Sequence, residues 1–391
     1  MKLKSSVVLI LLFFVGLPAA LRAFGPIGHQ VVGAIADQRL AGTPAGAKVT
    51  ELLDGMTLER VSIIPDEIKG WDKKGADDPN IFHYTAHPRI DTHLREFWRA
   101  NQPTKDPNSP MPSHHWFHYT DVSIIHGKKY SEVTAGRSKW DIVQMIPYCV
   151  EVLKGDRPED NERKITKTIA VILLAHYVGD IHQPLHVGAQ FFNAEGQPVD
   201  PDKDKAALED QGGNTIMLHL SDAPSSGPGS RGRKFHVFWD LDTVDSQLPA
   251  LPREMPKEER REKIDVAKKE LSKSMTESEP KNWRLPETVD LKKYAEAWAN
   301  EILPLAREAH DRLEFNNIKP FQEEAGMVAR GDARDKPMPD GVSYRDWAAK
   351  KAREQVHKAG WRLADLLEKS LTLSRSRSAD EAAAATPPSV H

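Results

Sequence analysis

With 391 residues and a formal net charge of −3, the chain is long enough to bury a sizeable core. Its near-neutral balance excludes a nucleic-acid binder that works by bulk electrostatics. Cys149 is the only cysteine, so no internal disulfide forms and packing must hold the fold.

Met1 to Ala23 reads as a secretory signal. Lys2 and Lys4 form its positive end, Val7 to Leu17 its apolar centre, and small residues collect before Phe24. The apolar run is shorter than the ~20 residues of a spanning helix. A cut after Ala23 is therefore expected rather than an anchor, although Leu21 leaves a cut after Ala20 open. The expected address is secreted or periplasmic, with no stable membrane insertion after cleavage, and one thiol in an exported chain points to a bacterial envelope protein.

Phe24-Gly25-Pro26-Ile27-Gly28-His29 opens an amphipathic helix, GHQVVGAIADQRL, and Ala45 to Leu53 gives a short second one. Ile63 to Lys69 starts a third, with Pro65 early and Asp66 and Glu67 in its first turn. Residues 73–112 are polar and irregular, an expected insertion with a short helix around Thr92 to Arg99. Trp116-Phe117-His118-Tyr119-Thr120-Asp121 follows, and an earlier echo, Phe82-His83-Tyr84-Thr85-Ala86, lacks its acid. Helices are expected over Lys139–Leu153 and Asn161–His182, with Cys149 as a core filler on the first. After Gly212-Gly213-Asn214 comes His236-Val237-Phe238-Trp239-Asp240. Pro256 to Ser278 is a charged, solvated helix, Val289 to Leu313 a long one kinked by Pro304, and Tyr344 to Leu371 the last. Strand signals are scarce, so the expected fold is all-α, one domain over 24–371 with a disordered tail over 372–391.

The stretch Ala175 to His186, AHYVGDIHQPLH, is where chemistry concentrates. His176 and Asp180 are four residues apart and share a helix face, and His186 lies just past the break at Pro184. Two imidazoles and a carboxylate make a ligand set for a borderline-soft divalent metal, zinc first. The plain alternative is a pair of satisfied core histidines, so further ligands must come from elsewhere. His182 faces away and reads as structural or supporting.

An aromatic processed terminus, GH, DEIK, HYTD, HxxxDxHQPxH, GGN and HxxWD occur in that order from Phe24 to Asp240. In this the chain resembles the S1/P1 nuclease family of mostly helical, zinc-dependent enzymes. The resemblance implies three zinc ions. Asp66, His118, His176 and Asp180 would hold one, and His186, His236 and Asp240 a second. His29, a bridging Asp180, and the amine and carbonyl oxygen of Phe24 would hold the third. The family usually has tryptophan where Phe24 stands, which touches packing more than backbone ligation. Asp121 is implied to orient the attacking water, and Lys69 to face the phosphate where arginine is common. Tyr119 would stack on a base with Asn214 and Gly213 at its edge, or else be a core aromatic beside a turn. His83 is the alternative to His118, but it would leave Ala86 where the acid should be.

The implied activity is endonucleolytic hydrolysis of single-stranded DNA or RNA to 5′-phosphorylated products, with 3′-nucleotidase activity as a companion. The implied partner is a single-stranded nucleic acid or nucleotide substrate, and no protein partner is evident. A zinc-dependent phospholipase C and a metal-loaded binding protein without turnover are the rivals.

Overall fold

A computed structural model describes residues 24–102, 113–223, 232–252, 254–323 and 326–372. The expected signal, part of the 73–112 stretch and the tail from 373 lie outside these. The helices are α1 (Gly25–Leu40), α2 (Pro44–Leu52), α3 (Leu58–Val61), α4 (Ile64–Glu67), α5 (Pro88–Ala100), α6 (Ile142–Lys154), α7 (Lys167–Asp180), α8 (Phe235–Val237), α9 (Thr243–Asp245), α10 (Lys257–Glu277), α11 (Tyr294–Asp311) and α12 (Tyr344–Thr372). Short 3₁₀ turns include Ile68–Lys73, His114–His118 and Pro184–His186.

The centre of the molecule is α7. Its sequence is apolar on every side, and each residue from Thr168 to Asp180 is buried. A helix without a polar face has no surface to give to solvent, so it must be surrounded. Helices α1, α3, α6 and α12 all pack on it. It starts at Lys167 and not at Asn161, because Thr166 accepts a capping hydrogen bond from the Ile169 amide at 3.3 Å. Asn161 instead closes the preceding turn, donating to the Ile165 carbonyl.

Close approach of α1 to α3 requires glycine at 33, where a Cβ would lie 2.5 Å from the Leu58 carbonyl oxygen. The two Asp37 oxygens then cap α3 through the Leu58 and Glu59 amides, each at 2.9 Å. Helix α5 is longer than the expected Thr92–Arg99 segment, and it inserts Ile90, Leu94, Phe97 and Trp98 into the main core. Cys149 is fully buried, and burial pushes its thiol far above its ordinary range.

The fold is mostly helical, but all-α is corrected by a four-stranded sheet. β5 (Ile216–His219), β6 (Arg233–Lys234), β7 (Leu313–Glu323) and β8 (Gly326–Asp335) lie in the order β6-β5-β8-β7. Two small pairs complete the strands: β1 (Val122–Ser123) with β2 (Gly188–Ala189), parallel, and β3 (Phe191–Phe192) with β4 (Leu208–Glu209), antiparallel. The expected Val289–Leu313 helix ends at Asp311, and Leu313 opens β7. Period-two alternation in β7 is broken by a bulge between Asn316 and Lys319, with Asn317 at φ 56°. Gly331 faces that bulge, where a Cβ would meet Ile318 Cδ1 at 2.5 Å.

The sheet's buried side joins Leu185, Phe235, Trp239, Tyr344 and Trp347 in a second apolar cluster. β5 leaves directly from the Gly212–Asn214 turn and β6 runs directly into His236, so the sheet holds one wall of the site. No helix among the described residues is long and apolar enough to cross a membrane.

Candidate metal centre

His29, His118, His176, Asp180, His186, His236 and Asp240 come from five separate segments and are all buried. Asp66 is less enclosed, its side chain 8 % exposed. Donor atoms of His29, His176 and Asp180 lie within 4.8 Å of one another, as do those of Asp66, His118 and His176, and those of His186, His236 and Asp240. Each set is a group that could hold a metal ion.

Asp180 joins the first two sets with separate oxygens. Its Oδ1 is 3.2 Å from His29 Nε2, while its Oδ2 is 2.9 Å from His118 Nδ1 and 3.2 Å from His176 Nε2. Asp66 Oδ1 is 3.9 Å from His176 Nε2 and accepts a 2.7 Å hydrogen bond from Lys69 Nζ.

Backbone carbonyls orient the rings. A carbonyl only accepts, so the nitrogen facing it must carry the proton. His176 Nδ1 donates to the Ser62 carbonyl at 2.6 Å, His186 Nδ1 to that of His118 at 2.8 Å, and His236 Nδ1 to that of Gly212 at 2.8 Å. Each Nε2 is thereby left with its lone pair turned inward. The Nε2 atoms of His186 and His236 face each other at 3.1 Å, and two lone pairs at that distance repel unless a cation or proton sits against both. Both nitrogens of His29, Nε2 of His118 and Oδ1 of Asp180 are buried without a hydrogen-bond partner. Unpaired buried donors and acceptors are costly, and two of these, His29 Nε2 and Asp180 Oδ1, face each other at 3.2 Å. The donor set therefore fits divalent metal ions.

The electrostatics point the same way. Burial, then the neighbouring His186, pushes His236 down to about 3. Burial and then Lys69 hold His118 well below its ordinary value. Burial opposes ionisation of Asp180, yet His176, His118 and His29 together hold its carboxyl well below the usual range. Neutral imidazoles at His118 and His236 and an ionised Asp180 are the protonation states that metal binding needs. Two ligands shift the other way: against burial, Asp180 and Asp66 raise His176, and burial pushes the Asp240 carboxyl well above its ordinary range.

Just ahead of α1, Phe24 is buried in the left-handed conformation, φ 37°. Its carbonyl accepts from the Gly28 amide at 3.0 Å, and a Cβ on Gly28 would lie 2.5 Å from Phe24 Cβ. The Phe24 backbone is thus folded over the first turn of α1.

The structure does not bring His83 here. Its Nε2 donates to the Asp78 carbonyl at 2.8 Å and Arg95 contacts its Nδ1 at 3.0 Å. His182 points away, donating through Nδ1 to the Val178 carbonyl and accepting from Arg362 at 2.8 Å.

Gly212 and Gly213 both have positive φ, 56° and 80°, and Cβ atoms there would strike the Leu185 carbonyl at 2.2 Å and the Phe235 ring at 2.6 Å. Their turn supplies the Gly212 carbonyl to His236, a link that motif reading misses. Asn214 donates its side-chain amide to the Gln211 carbonyl at 2.9 Å. Tyr119 and Asp121 are partly exposed. Asp121 has a neighbour that sequence reading also missed, Glu209. Burial and the Glu209 charge push Asp121 well up, and burial raises Glu209 to about 7.

The S1/P1 Nuclease family model matches residues 24–372. Endonuclease 1 of Arabidopsis thaliana is 24% identical over 261 residues, 66% of this chain and 63% of that protein. Endonuclease 4 of the same plant is 29% identical over 101 residues, 26% of this chain and 25% of that protein. The chain spans less than two thirds of either relative. With a family match across the whole described structure, and its buried histidines and aspartates gathered into one centre, the chain belongs to the S1/P1 nuclease family.

Proposed function

We propose that the protein is a zinc-dependent endonuclease of single-stranded DNA and RNA that leaves 5′-phosphorylated products, with 3′-nucleotidase activity, and that it works outside the cytoplasm once residues 1–23 are removed. The observation that carries this reading is the facing pair of His186 and His236 lone pairs beside the two sets joined by Asp180. Asp66, His118, His176 and Asp180 would hold one zinc, His186, His236 and Asp240 a second, and His29, Asp180 and the Phe24 backbone a third. Bound zinc supplies an acidified water and charge for the phosphodiester as its P–O bond breaks.

The chain's own residues do the rest. Lys69, held at 2.7 Å from Asp66, presents a cation to the phosphate but no bidentate fork. Asp121 orients the water and takes its proton. Tyr119 offers a stacking face, and the turn of Gly213 and Asn214 an edge for hydrogen bonding to the base.

The test is hydrolysis of single-stranded DNA, RNA, a 3′-nucleotide and a phospholipid by purified chain beginning at Phe24. The nucleic acids and the 3′-nucleotide are expected to be cut, chelator to stop the reaction and zinc to restore it. Cleavage of the phospholipid alone would point to the phospholipase reading. Binding of metal without turnover on any of these would leave a binding protein.

Asp121→Asn is expected to keep the wild-type metal content while the rate falls roughly 10²–10⁴-fold, the range of general-base contributions. Loss of metal from this variant would make Asp121 a ligand instead. Glu209→Gln tests the influence of this neighbour. The Glu209 charge raises Asp121, so removing it lowers Asp121 and lets it ionise in more acidic solution. The acid limb of kcat/KM is expected to move to lower pH. An unmoved limb would show that Asp121 is not the titrating base.

A further inference from the structure

The two short helical segments that feed the centre also meet beyond it. The turn Ile68–Lys73 starts just after Asp66 and carries Lys69 and then Asp72. The turn His114–His118 ends on His118 and begins with His114 and His115. Asp72, His114 and His115 each place a ligand atom within 4.8 Å of the others, and none of the three belongs to the centre described above.

Asp72 Oδ2 is 2.5 Å from His115 Nε2, and its Oδ1 is 3.6 Å from His114 Nε2. The second distance is too long for a hydrogen bond. His114 is 1 % exposed, and its Nε2 has no hydrogen-bond partner. A buried imidazole nitrogen aimed at a carboxylate, yet not bonded to it, is unexplained by packing alone. The Asp72 carboxylate is itself oriented, since Trp98 Nε1 donates to its Oδ1 at 2.8 Å. Supporting hydrogen bonds of this kind hold metal-binding carboxylates in place. Phe97 packs edge-on against the His114 ring, with centroids 6.1 Å apart, which fixes that imidazole from behind. The His115 side chain is 37 % exposed, so solvent reaches the open side.

We infer that Asp72, His114 and His115 form a separate site for a divalent transition metal of the zinc class, completed by water from the solvent side. Two imidazoles and one carboxylate are a sufficient protein ligand set for such an ion. Occupation would tie Ile68–Lys73 to His114–His118 at a second point. The segments carrying Lys69 and His118 would then be pinned at both ends, and Asp66 next to them.

The alternative is a plain Asp72–His115 ion pair that takes no metal. Zinc ion alone is the probe. The chain beginning at Phe24 is dialysed to equilibrium against zinc, and bound metal is counted by elemental analysis for wild type, H114Q/H115Q and H115A. Both variants are expected to hold one zinc fewer than wild type, whatever number the main centre takes. Because the readout is a difference, failure of the zinc assignment at the main centre does not imitate failure here. Should the double variant not fold, His115→Ala at its exposed position decides. Zinc is held at the lowest concentration that fills the wild-type chain, where the roughly tenfold or greater weakening expected from losing one of three ligands leaves the last equivalent mostly unbound. Equal zinc content in wild type and H115A overturns the site. Loss of more than one zinc from H115A overturns its separateness, because the three residues would then be supporting the main centre.

Discussion

Asp180→Asn is expected to lower turnover by more than roughly 10³-fold and to reduce the bound metal. The reason lies in how the two oxygens are divided. Oδ1 faces His29, while Oδ2 faces His118 and His176. An asparagine of the same shape keeps one oxygen and turns an NH₂ toward the other side. Whichever way the amide settles, both sets joined by Asp180 lose the carboxylate's negative charge, and one of them also meets an N–H donor in place of an oxygen. Removing a single electrostatic contact to the transition state costs roughly 10²–10³-fold in well-studied cases. Here the metal that makes the contact would be displaced as well. The substitution sits in the buried part of α7, so the measurement needs circular dichroism beside elemental analysis and rate. A folded variant with wild-type metal content and near-normal turnover would remove Asp180 from its bridging role.

How much of this centre could be read from the sequence depends on the distance along the chain. His176 and Asp180, and again His236 and Asp240, are four residues apart, and that spacing alone puts each pair on one helical face. His186 follows a proline break and so returns to the same pocket. Asp66 and His118 are far from α7 in sequence, and no local periodicity links them to it. Only the order of motifs in the resembled family brought them in.

The supporting partners carried no side-chain signal at all. Ser62, His118 and Gly212 orient imidazoles through their carbonyls, and every residue has a carbonyl. Glu209 went unseen because it closes a two-residue strand, too short to show alternation. Asp72, His114 and His115 were passed over because they flank, on either side, the polar stretch 73–112 read as an insertion. The β7–β8 hairpin was missed for a related reason. Its bulge at Asn317 shifts the alternation, and most of its outer length is exposed, so neither the apolar pattern nor the burial of a normal strand was there to be read.

Placing one extra residue before Phe24 is expected to cost most of the activity while leaving the fold intact. His29 Nε2 lies without a hydrogen-bond partner 3.2 Å from Asp180 Oδ1, which has none either. On the proposed assignment the missing donors are the amine and carbonyl oxygen of Phe24. Its left-handed backbone and the clearance left by Gly28 fold it against the start of α1. A free α-amino group has a pKa near ~8 and releases its proton when a metal competes for it. An amide nitrogen has no available lone pair and cannot replace it. Export processing would then be a step in building the catalyst, beyond its role as an address. Two proteins decide the matter, one cut cleanly to begin at Phe24 and one carrying a single residue in front. The first is expected to take up its full metal complement and cut single-stranded DNA. The second should match it in circular dichroism and keep the ion at His186, His236 and Asp240. It should bind one zinc fewer and turn over far more slowly. Equal metal content and equal rate would rule out the terminal ligand, and with it cleavage after Ala23 as a requirement for activity.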